Sequence, residues 1–571
     1  MDSMPRPELE TRRPRSTRPR DGALVPTPPA RWRHAAWAID AASVALLIGI
    51  GVYLLGGDPR ISSLALVGDD AGYYLNFARN HCLGHGVSFD RLHPSNGFNP
   101  LYTLLLIAAF ESAPVELSTL NCYRIGVLLD FAAIVASVVL VRAIVARFVD
   151  RDGRHAGWHR FGVAVCTAFY VFFVCPKSYY GMDTPLVLLL GSAYLVAVLR
   201  GGLLSRRRAA LDGALLGLLF LARVDTLPFL LAAYLMVALS APSWRGAATA
   251  VGLRLPFTLI VVGPYLAWGH SRFGTWMPIS ARLKTSFPHW RPRESLDAIL
   301  GTSLNLPDQI LFAVAFLAAC ALLLVGARRL RRDGSGPHRT SIENAVLGLL
   351  GLYVAARLGY MLFFSRLDVQ GNYAILAHVF TILVFVRVLQ HLAARAGRFR
   401  MPSPSLVGAG YLMLLVVSTG LLAAKLRTHH GQRLLHERGY RSDVELGLEI
   451  AGLTDGRDVV FGGAFGMAGF FSDRAWMNAD GVANTFEYQV AVGADRLEDY
   501  LRQNGVTLLV YAPAGGDSSA SGEQSISVVS PLFQRASTVR VGAEDVVRDI
   551  PIVRRAGRVR VARYHSRERS P

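Results

Sequence analysis

The feature that most limits the fold of this chain is a series of apolar runs, each near the length a helix needs to cross a bilayer. A spanning helix takes about 20 apolar residues, within a range of about 17–25. Eleven stretches meet or approach that length, at 35–56, 120–146, 161–176, 185–199, 209–223, 226–241, 247–269, 308–327, 342–364, 373–390 and 404–424. Composition agrees. Of 571 residues, 52% are hydrophobic and 18% charged, against about 25% charged in an average soluble domain. Such values exclude a disordered chain and argue against a soluble enzyme. The expected class is a polytopic α-helical membrane protein of about 11 spans.

The net charge of +19 would suggest nucleic acid in a soluble protein. Its distribution points elsewhere. Lys177, Lys284 and Lys425 are the only lysines, so the excess is arginine. Arginines cluster before the first run, from Arg6 to Arg33, and then in alternate loops. Those loops carry Arg142 to Arg160, Arg200 with Arg206–Arg208, Arg245, Arg328 to Arg339, and Arg395 to Arg400. Basic loops mark the cytoplasmic side. The pattern sets the N-terminus inside and the C-terminus outside a plasma (inner) membrane, and no nucleic-acid partner is expected. The Arg-rich segment and the lack of a small-residue site after the first run read as a retained anchor, not a cleaved signal.

The run at 98–112 is short and begins near a proline, so it reads as an interfacial or re-entrant helix on the outer face. Three regions follow: an Arg-rich tail at 1–34, a membrane module at 35–425 with a long external loop at 57–119, and an external α/β domain at 426–571. In the last, Val459–Phe461 and Thr507–Tyr511 read as buried strands around a helical pattern at 493–503. Ile526–Val529 and Val559–Tyr564 are further β-like runs, and 514–522 is a Gly/Ser loop. Cys82 and Cys122 both fall on the outer side, where a disulfide is compatible with the spacing.

Polar residues in or beside spans are costly and mark candidate sites. In this topology they gather on the outer face: Asp69 and Asp70; Lys177 and Asp183; Arg223 and Asp225; Arg282 and Lys284; Arg357, Arg366, Asp368 and His378. The Asp69-Asp70 pair can take a proton from a hydroxyl nucleophile or hold a divalent cation (Mg, Mn or Ca). It also fits a plain cap for a helix starting near Ala71. Lys177 and Arg282 fit interfacial snorkelling, Arg223 and Asp225 a helix-end ion pair, and His378 a packed core histidine. Asp130, Arg254 and Arg387 are expected to point inward or cytoplasmically and to pair or snorkel. Gly462, Gly463, Gly466 and Gly469 lack the strand–turn–helix setting of a dinucleotide site.

Asp69-Asp70 after the first span, followed by Ser95-Asn96-Gly97-Phe98-Asn99-Pro100-Leu101, resembles the GT-C class of membrane glycosyltransferases. These include the dolichyl-phosphate-mannose protein mannosyltransferases and the bacterial aminoarabinose and arabinofuranosyl transferases. Gly181-Met182-Asp183-Thr184 is similar to a Gly-Met-Glu-Thr motif of bacterial relatives, and Arg223-Val224-Asp225 to their Arg-x-Asp turn. Phe273-Gly274 through Pro278, Ser280 and Lys284 resembles a loop ending in a lysine. Asn478-Ala479-Asp480-Gly481-Val482-Ala483-Asn484 resembles an Asn-x-Asp-Gly-x-x-Asn motif of their external domain, where it either caps a turn or docks the domain over the site. Asp183 replaces the family's Glu, and Asn99 a frequent His.

The resemblance implies a polyprenyl-phosphate-linked sugar as donor and an extracytoplasmic hydroxyl on a glycan, lipid or protein as acceptor. It implies Asp70 as base, Asp69 as helper or metal ligand, and Lys284 as the cation for departing phosphate. Arg223, Asp225, Arg357, Asn96, Asp183 and His378 complete the implied substrate-binding set. A secondary transporter or lipid flippase, and a non-catalytic scaffold, are the alternative readings; repeated halves, usual in transporters, are missing from the sequence.

Overall fold

The structure is a computed structural model. It describes residues 30–64, 66–149, 156–178, 180–286, 289–290, 339–364, 375–396, 403–463, 465–513, 524–530, 532, 535–553 and 557–565. Among these, seven helices are long and apolar enough to cross a membrane: Trp32–Gly56, Thr119–Val149, His159–Lys177, Thr184–Gly201, Ile342–Phe364, Ile375–Leu392 and Val407–Glu437. An eighth crossing is formed if Trp244–Gly252 and Leu255–Phe273, bent by 41°, count as one.

Two expected spans are shorter than that. The run at 209–223 is the 14-residue helix Ala209–Ala222, and the run at 226–241 is the 14-residue helix Leu227–Ser240. At 1.5 Å per residue each reaches only about 21 Å, short of a hydrocarbon core of about 30 Å. The cause lies between them, where Arg223 turns extended and Val224–Thr226 forms a single 3₁₀ turn, so polar groups interrupt the apolar sequence. The run at 98–112 is the 13-residue helix Pro100–Ser112, opened by its proline at the first helical position. The stretch 308–327, together with Arg366, Asp368 and the 514–522 loop, lies outside the described residues. Cys82 and Cys122 are both free thiols.

The last long helix runs from Ser403 to Glu437, and the C-terminal unit begins with the helix Asp443–Leu453, whose Ser442 and Glu445 form a capping box. Its main sheet has the order β2-β1-β3-β7-β6. Here β1 is Val459–Gly462, β2 Ala475–Asn478, β3 Val506–Tyr511, β6 Val546–Ile552 and β7 Gly557–Arg563. The β1 strand is parallel to both β2 and β3, while β7 is antiparallel to β3 and β6. A separate hairpin pairs β4, Gln524–Ser530, with β5, Arg535–Val541. The expected strands at 459–461, 507–511, 526–529 and 559–564 coincide with β1, β3, β4 and β7.

Successive strand residues point to opposite faces, and here the two faces join different cores. Val460, Leu508, Val510, Val559 and Val561 belong to one apolar cluster with the membrane helices. Val459, Phe461, Leu509 and Tyr511 pack in a second cluster with Tyr488, Val492, Leu497 and Leu501. The C-terminal sheet is therefore half of a shared core.

Its seat is the loop that follows the first long helix. The helix Ala71–Asn80 lies against Gly466–Ser472 so closely that a Cβ on Gly72 would overlap the Gly466 backbone. A Cβ on Gly97 would likewise overlap the Val482 carbonyl oxygen. Gly72→Ala is expected to lower the Tm of the detergent-solubilised chain, since overpacking costs about 1–3 kcal/mol. Gly263→Ala, in an open helical position, leaves it unchanged or slightly higher. Equal Tm values for the two variants would contradict the close seat.

Candidate functional site

Asp69 and Asp70 stand at the head of the helix Ala71–Asn80, as a capping pair would, yet neither caps it. Asp70 occupies the N-cap position without a side-chain hydrogen bond to the helix. Asp69 Oδ1 accepts the Met467 N–H at 3.0 Å and so satisfies an open donor of a different helix, Gly466–Ser472 in the C-terminal unit. The two neighbouring acids thus serve different ends. Asp69 ties the C-terminal unit to the loop, and Asp70 makes no side-chain cap bond to the helix it heads.

The turn at Gly181–Thr184 is built beneath this helix head. Val67 and Tyr180 form a parallel bridge, with the Tyr180 N–H donating to the Leu66 carbonyl at 2.8 Å. Gly181 has φ of 85°, a left-handed conformation suited to glycine, and a Cβ there would press on Ala71. Its N–H donates to Asp130 Oδ2 at 2.5 Å, which also accepts from the Tyr102 hydroxyl at 2.9 Å. Asp130 therefore points inward, as expected, and its partner is the motif turn, which it holds from beneath. A buried carboxylate needs such donors, and a backbone N–H at a tight turn supplies one. Arg254 and Arg387 do pair, with Asp212 at 3.1 Å and with Glu343.

From that turn runs a chain of buried charge. Asp183 is almost fully enclosed and accepts from the Tyr74 hydroxyl at 3.0 Å and from the Asn99 amide. Arg223 Nη1 lies 3.5 Å from Asp183 Oδ1 and donates to Thr184 Oγ1 at 3.2 Å, while its Nε lies 3.0 Å from Asp225 Oδ1. Arg357 donates to Asp225 through both terminal nitrogens, to Oδ2 at 2.5 Å and to the carbonyl at 2.9 Å. Asn99 Oδ1 accepts the Val224 N–H at 3.2 Å and so fixes the Arg-x-Asp turn. The ion pair read for Arg223 and Asp225 is present, extended at both ends.

Lys284 enters from the short helix Ile279–Lys284. Asn96 Oδ1 accepts the Ile279 N–H at 3.1 Å, so Asn96 orients the helix that carries the lysine. The Lys284 charge lowers both Asp225 and Asp480. Asp480 was quoted in a motif but not chosen as a site residue. Its Oδ2 accepts from the Tyr73 hydroxyl at 3.5 Å and its Oδ1 from the Val482 N–H at 2.9 Å. Burial first, then the Asp70 charge, pushes its carboxyl up to about 6.

The surrounding turn both caps itself and docks. Asn478 Oδ1 accepts the Gly481 N–H, Asn484 Nδ2 donates to the Asn478 carbonyl, and Ser95 Oγ donates to the Asn484 carbonyl at 3.0 Å. Gly481, with φ of 77°, permits the bend.

The remaining candidates have aromatic partners. His378 meets Phe173 edge-on at 5.1 Å, and Lys177 Nζ stands 4.0 Å over the same ring. Arg282 lies over Phe486 at 5.2 Å. Among the described residues, no three His, Cys, Asp or Glu side chains gather as a metal centre.

Two ionic contacts at the seat of the C-terminal unit have opposite pH dependence: Asp473 pairs across to the loop, whereas His93 pairs with Asp90 within the loop and meets the unit through Tyr500. Burial alone would raise Asp473, but the hydrogen bonds and charges of Arg79, at 2.6 Å, and Arg91 outweigh it and hold the carboxyl below the usual range. Its contribution is complete above the ordinary carboxylate value of about 3.9 and is lost as pH falls through the lowered one. The Asp90 hydrogen bond, at 2.8 Å, raises His93, which stacks on Tyr500. That contribution is complete below the ordinary histidine value of about 6.5 and is lost as pH rises through the raised one. Hydrogen exchange at Gly466–Ser472 should be slowest between about pH 4 and 6.5 after correction for intrinsic rates. His93→Gln should flatten the alkaline limb and Asp473→Asn the acidic limb; unchanged limbs would refute these assignments.

No family model and no curated protein matches the sequence. Similar solved structures include the oligosaccharyltransferase of Archaeoglobus fulgidus tethered through a disulfide bond to an acceptor peptide containing the NVT sequon. That match has a TM-score of 0.42 and 12% identity, over 84% of this chain and 70% of that one. The apo form of the same enzyme matches with a TM-score of 0.42 and 13% identity, over 83% and 69%. A likeness at this level is one of chain path and no more.

Proposed function

We propose that this chain is a membrane glycosyltransferase that moves a sugar from a polyprenyl-phosphate donor to a hydroxyl on the extracytoplasmic side. One observation carries the reading. Asp183, Arg223, Asp225 and Arg357 form one charge chain among apolar helices, and Lys284 acts electrostatically on Asp225 in that chain and on Asp480, as Asp70 does, so that a lipid-borne anion and a water-borne hydroxyl can meet there.

In this reading the Asp70 carboxylate takes the acceptor hydroxyl proton as that oxygen attacks the anomeric carbon. The bond from carbon to phosphate oxygen breaks, and its electron pair leaves with the polyprenyl phosphate. Attack opposite the leaving group inverts the anomeric centre. Lys284 meets the charge developing on the phosphate, with Arg223 and Arg357 behind it. Asp183 and Asp225 hold those guanidiniums in place, Asn96 sets the lysine, and His378 lies toward the donor with Phe173.

Asp70→Asn is expected to lower kcat by about 10²–10⁴-fold, the usual yield of a general base, with Tm unchanged. Retained transfer sinks the base assignment, and solute movement without glycosidic product favours a transporter. Lys284→Ala is expected to cost about 10²-fold and to weaken donor use more than acceptor use; the reverse moves Lys284 to the acceptor side.

The same reading sets the N-terminus in the cytoplasm and the C-terminal unit outside a plasma membrane, following the arginine-rich loops. Arg154→Cys should react with an impermeant maleimide only after permeabilisation. Labelling in intact cells would reverse the orientation.

A further inference from the structure

The lysine given to the departing phosphate stands on a helix too short to hold itself. Ile279–Lys284 has six residues, whereas an isolated helix below about 12–15 residues is marginal in water. Its place is therefore set by what pins its two ends. Asn96 holds the first, its Oδ1 accepting the Ile279 N–H at 3.1 Å. One carbonyl holds the second. The Phe364 oxygen accepts the Ser286 N–H at 2.7 Å, the Thr285 hydroxyl at 3.1 Å and the Ser286 hydroxyl at 3.3 Å. Trp290 continues the contact, its ring centroid 4.8 Å from that of Phe363.

Phe364 belongs to the helix Arg339–Phe364, which also carries Arg357, the partner of Asp225. Arg357 precedes Phe364 by two helical turns, so both lie on one side of that helix, about 10 Å apart along its axis. Lys284 is bonded directly to Thr285. The Phe364 carbonyl thus ties the backbone of one cation to the helix that bears the other. The Ser286 N–H alone would give this oxygen a partner. Thr285 and Ser286 are both buried and add two hydroxyls to it, which restrict how the Lys284 backbone leaves its helix.

We propose that Thr285 and Ser286 are positioning residues of the transfer: through the Phe364 carbonyl they set Lys284 in register with Arg357, so that one departing phosphate meets both cations. This rests on the transferase reading and deepens it. A clip that only served folding would matter whether or not a lysine stood at 284. A positioning clip matters to phosphate only while Lys284 is there.

The test uses the full chain in nanodiscs and reads binding of farnesyl phosphate, with farnesol as the neutral control. The double variant Thr285→Val, Ser286→Ala keeps the Ser286 N–H on Phe364. It should raise the Kd for farnesyl phosphate by about fivefold or more, with farnesol binding and Tm unchanged. Thr285→Ser keeps its hydroxyl and should stay within about twofold of wild type. In a Lys284→Ala background the double variant should change the Kd by less than about twofold. Equal weakening with and without Lys284, or no weakening in the double variant, overturns the inference while the transferase reading stands. So does wild type that binds farnesyl phosphate no more tightly than farnesol. If the double variant lowers Tm, Ser286→Ala alone carries the test and should show the same dependence on Lys284. Transfer is read alongside, from polyprenyl-phosphate mannose, aminoarabinose and arabinofuranose to methyl glycosides, 1-octanol and a serine peptide. Absence of glycosidic product from every pair overturns the transferase reading and the inference with it.

Discussion

The arrangement of this protein depends on burying Asp183, Arg223, Asp225 and Arg357 among apolar helices. A lone charge in such a setting costs far more than a helix contact returns, and removing one partner of a buried pair costs about 3–5 kcal/mol. Each charge therefore needs its partners in place before the helices can close. Asp183 begins the helix Thr184–Gly201, Arg223 and Asp225 join two short helices, and Arg357 lies within Arg339–Phe364. Pairing them fixes three separate parts of the helix bundle at one height. Asn99 adds a fourth, because it donates to Asp183 and accepts from the Val224 N–H. The charge chain is at once the device that aligns these helices and the bed against which Lys284 is set.

A second constraint comes from the C-terminal sheet, which supplies one face to the membrane helices and the other to its own helices. A sheet shared in this way does not swing as a free lid. Its attachment uses backbone approach at Gly72 and Gly97, ionic contact at Asp473, and the Asp69 carboxylate on the Met467 N–H. These contacts come from the two ends of the chain, so the site is assembled by tertiary packing and not by any one segment.

That origin explains which parts were legible in the sequence. Long apolar helices and the strands β1, β3, β4 and β7 announce themselves through periodicity and length. The strand Ala475–Asn478 does not, being four residues long and ending in a motif that reads as a turn. The helices at 209–222 and 227–240 have the hydrophobicity of spans but not their length, because the charge chain needs Arg223 and Asp225 between them. The partner of Asp130 was hidden for a related reason. Periodicity locates a residue along a helix but not the donor it meets, here the Gly181 N–H some fifty positions away. Asp480 carried a local signal, an acid before a glycine within an Asn-x-Asp-Gly-x-x-Asn frame. Only the fold brings it under the charges of Asp70 and Lys284.

The divergence of Asp69 and Asp70 follows from the same packing. Adjacent residues at a helix start point in directions set by the backbone, so two neighbouring carboxylates need not face one substrate. Asp69 is turned toward the open N–H of a second helix, where a negative charge also meets the positive end of the helix dipole. Asp70 makes no side-chain bond to the helix it heads. Assigning one acid to docking makes the position of its neighbour depend on the unit that Asp69 holds. Sequence alone presents the pair as two equivalent acids. The fold makes one a tether to a second helix and leaves the other at the head of its own.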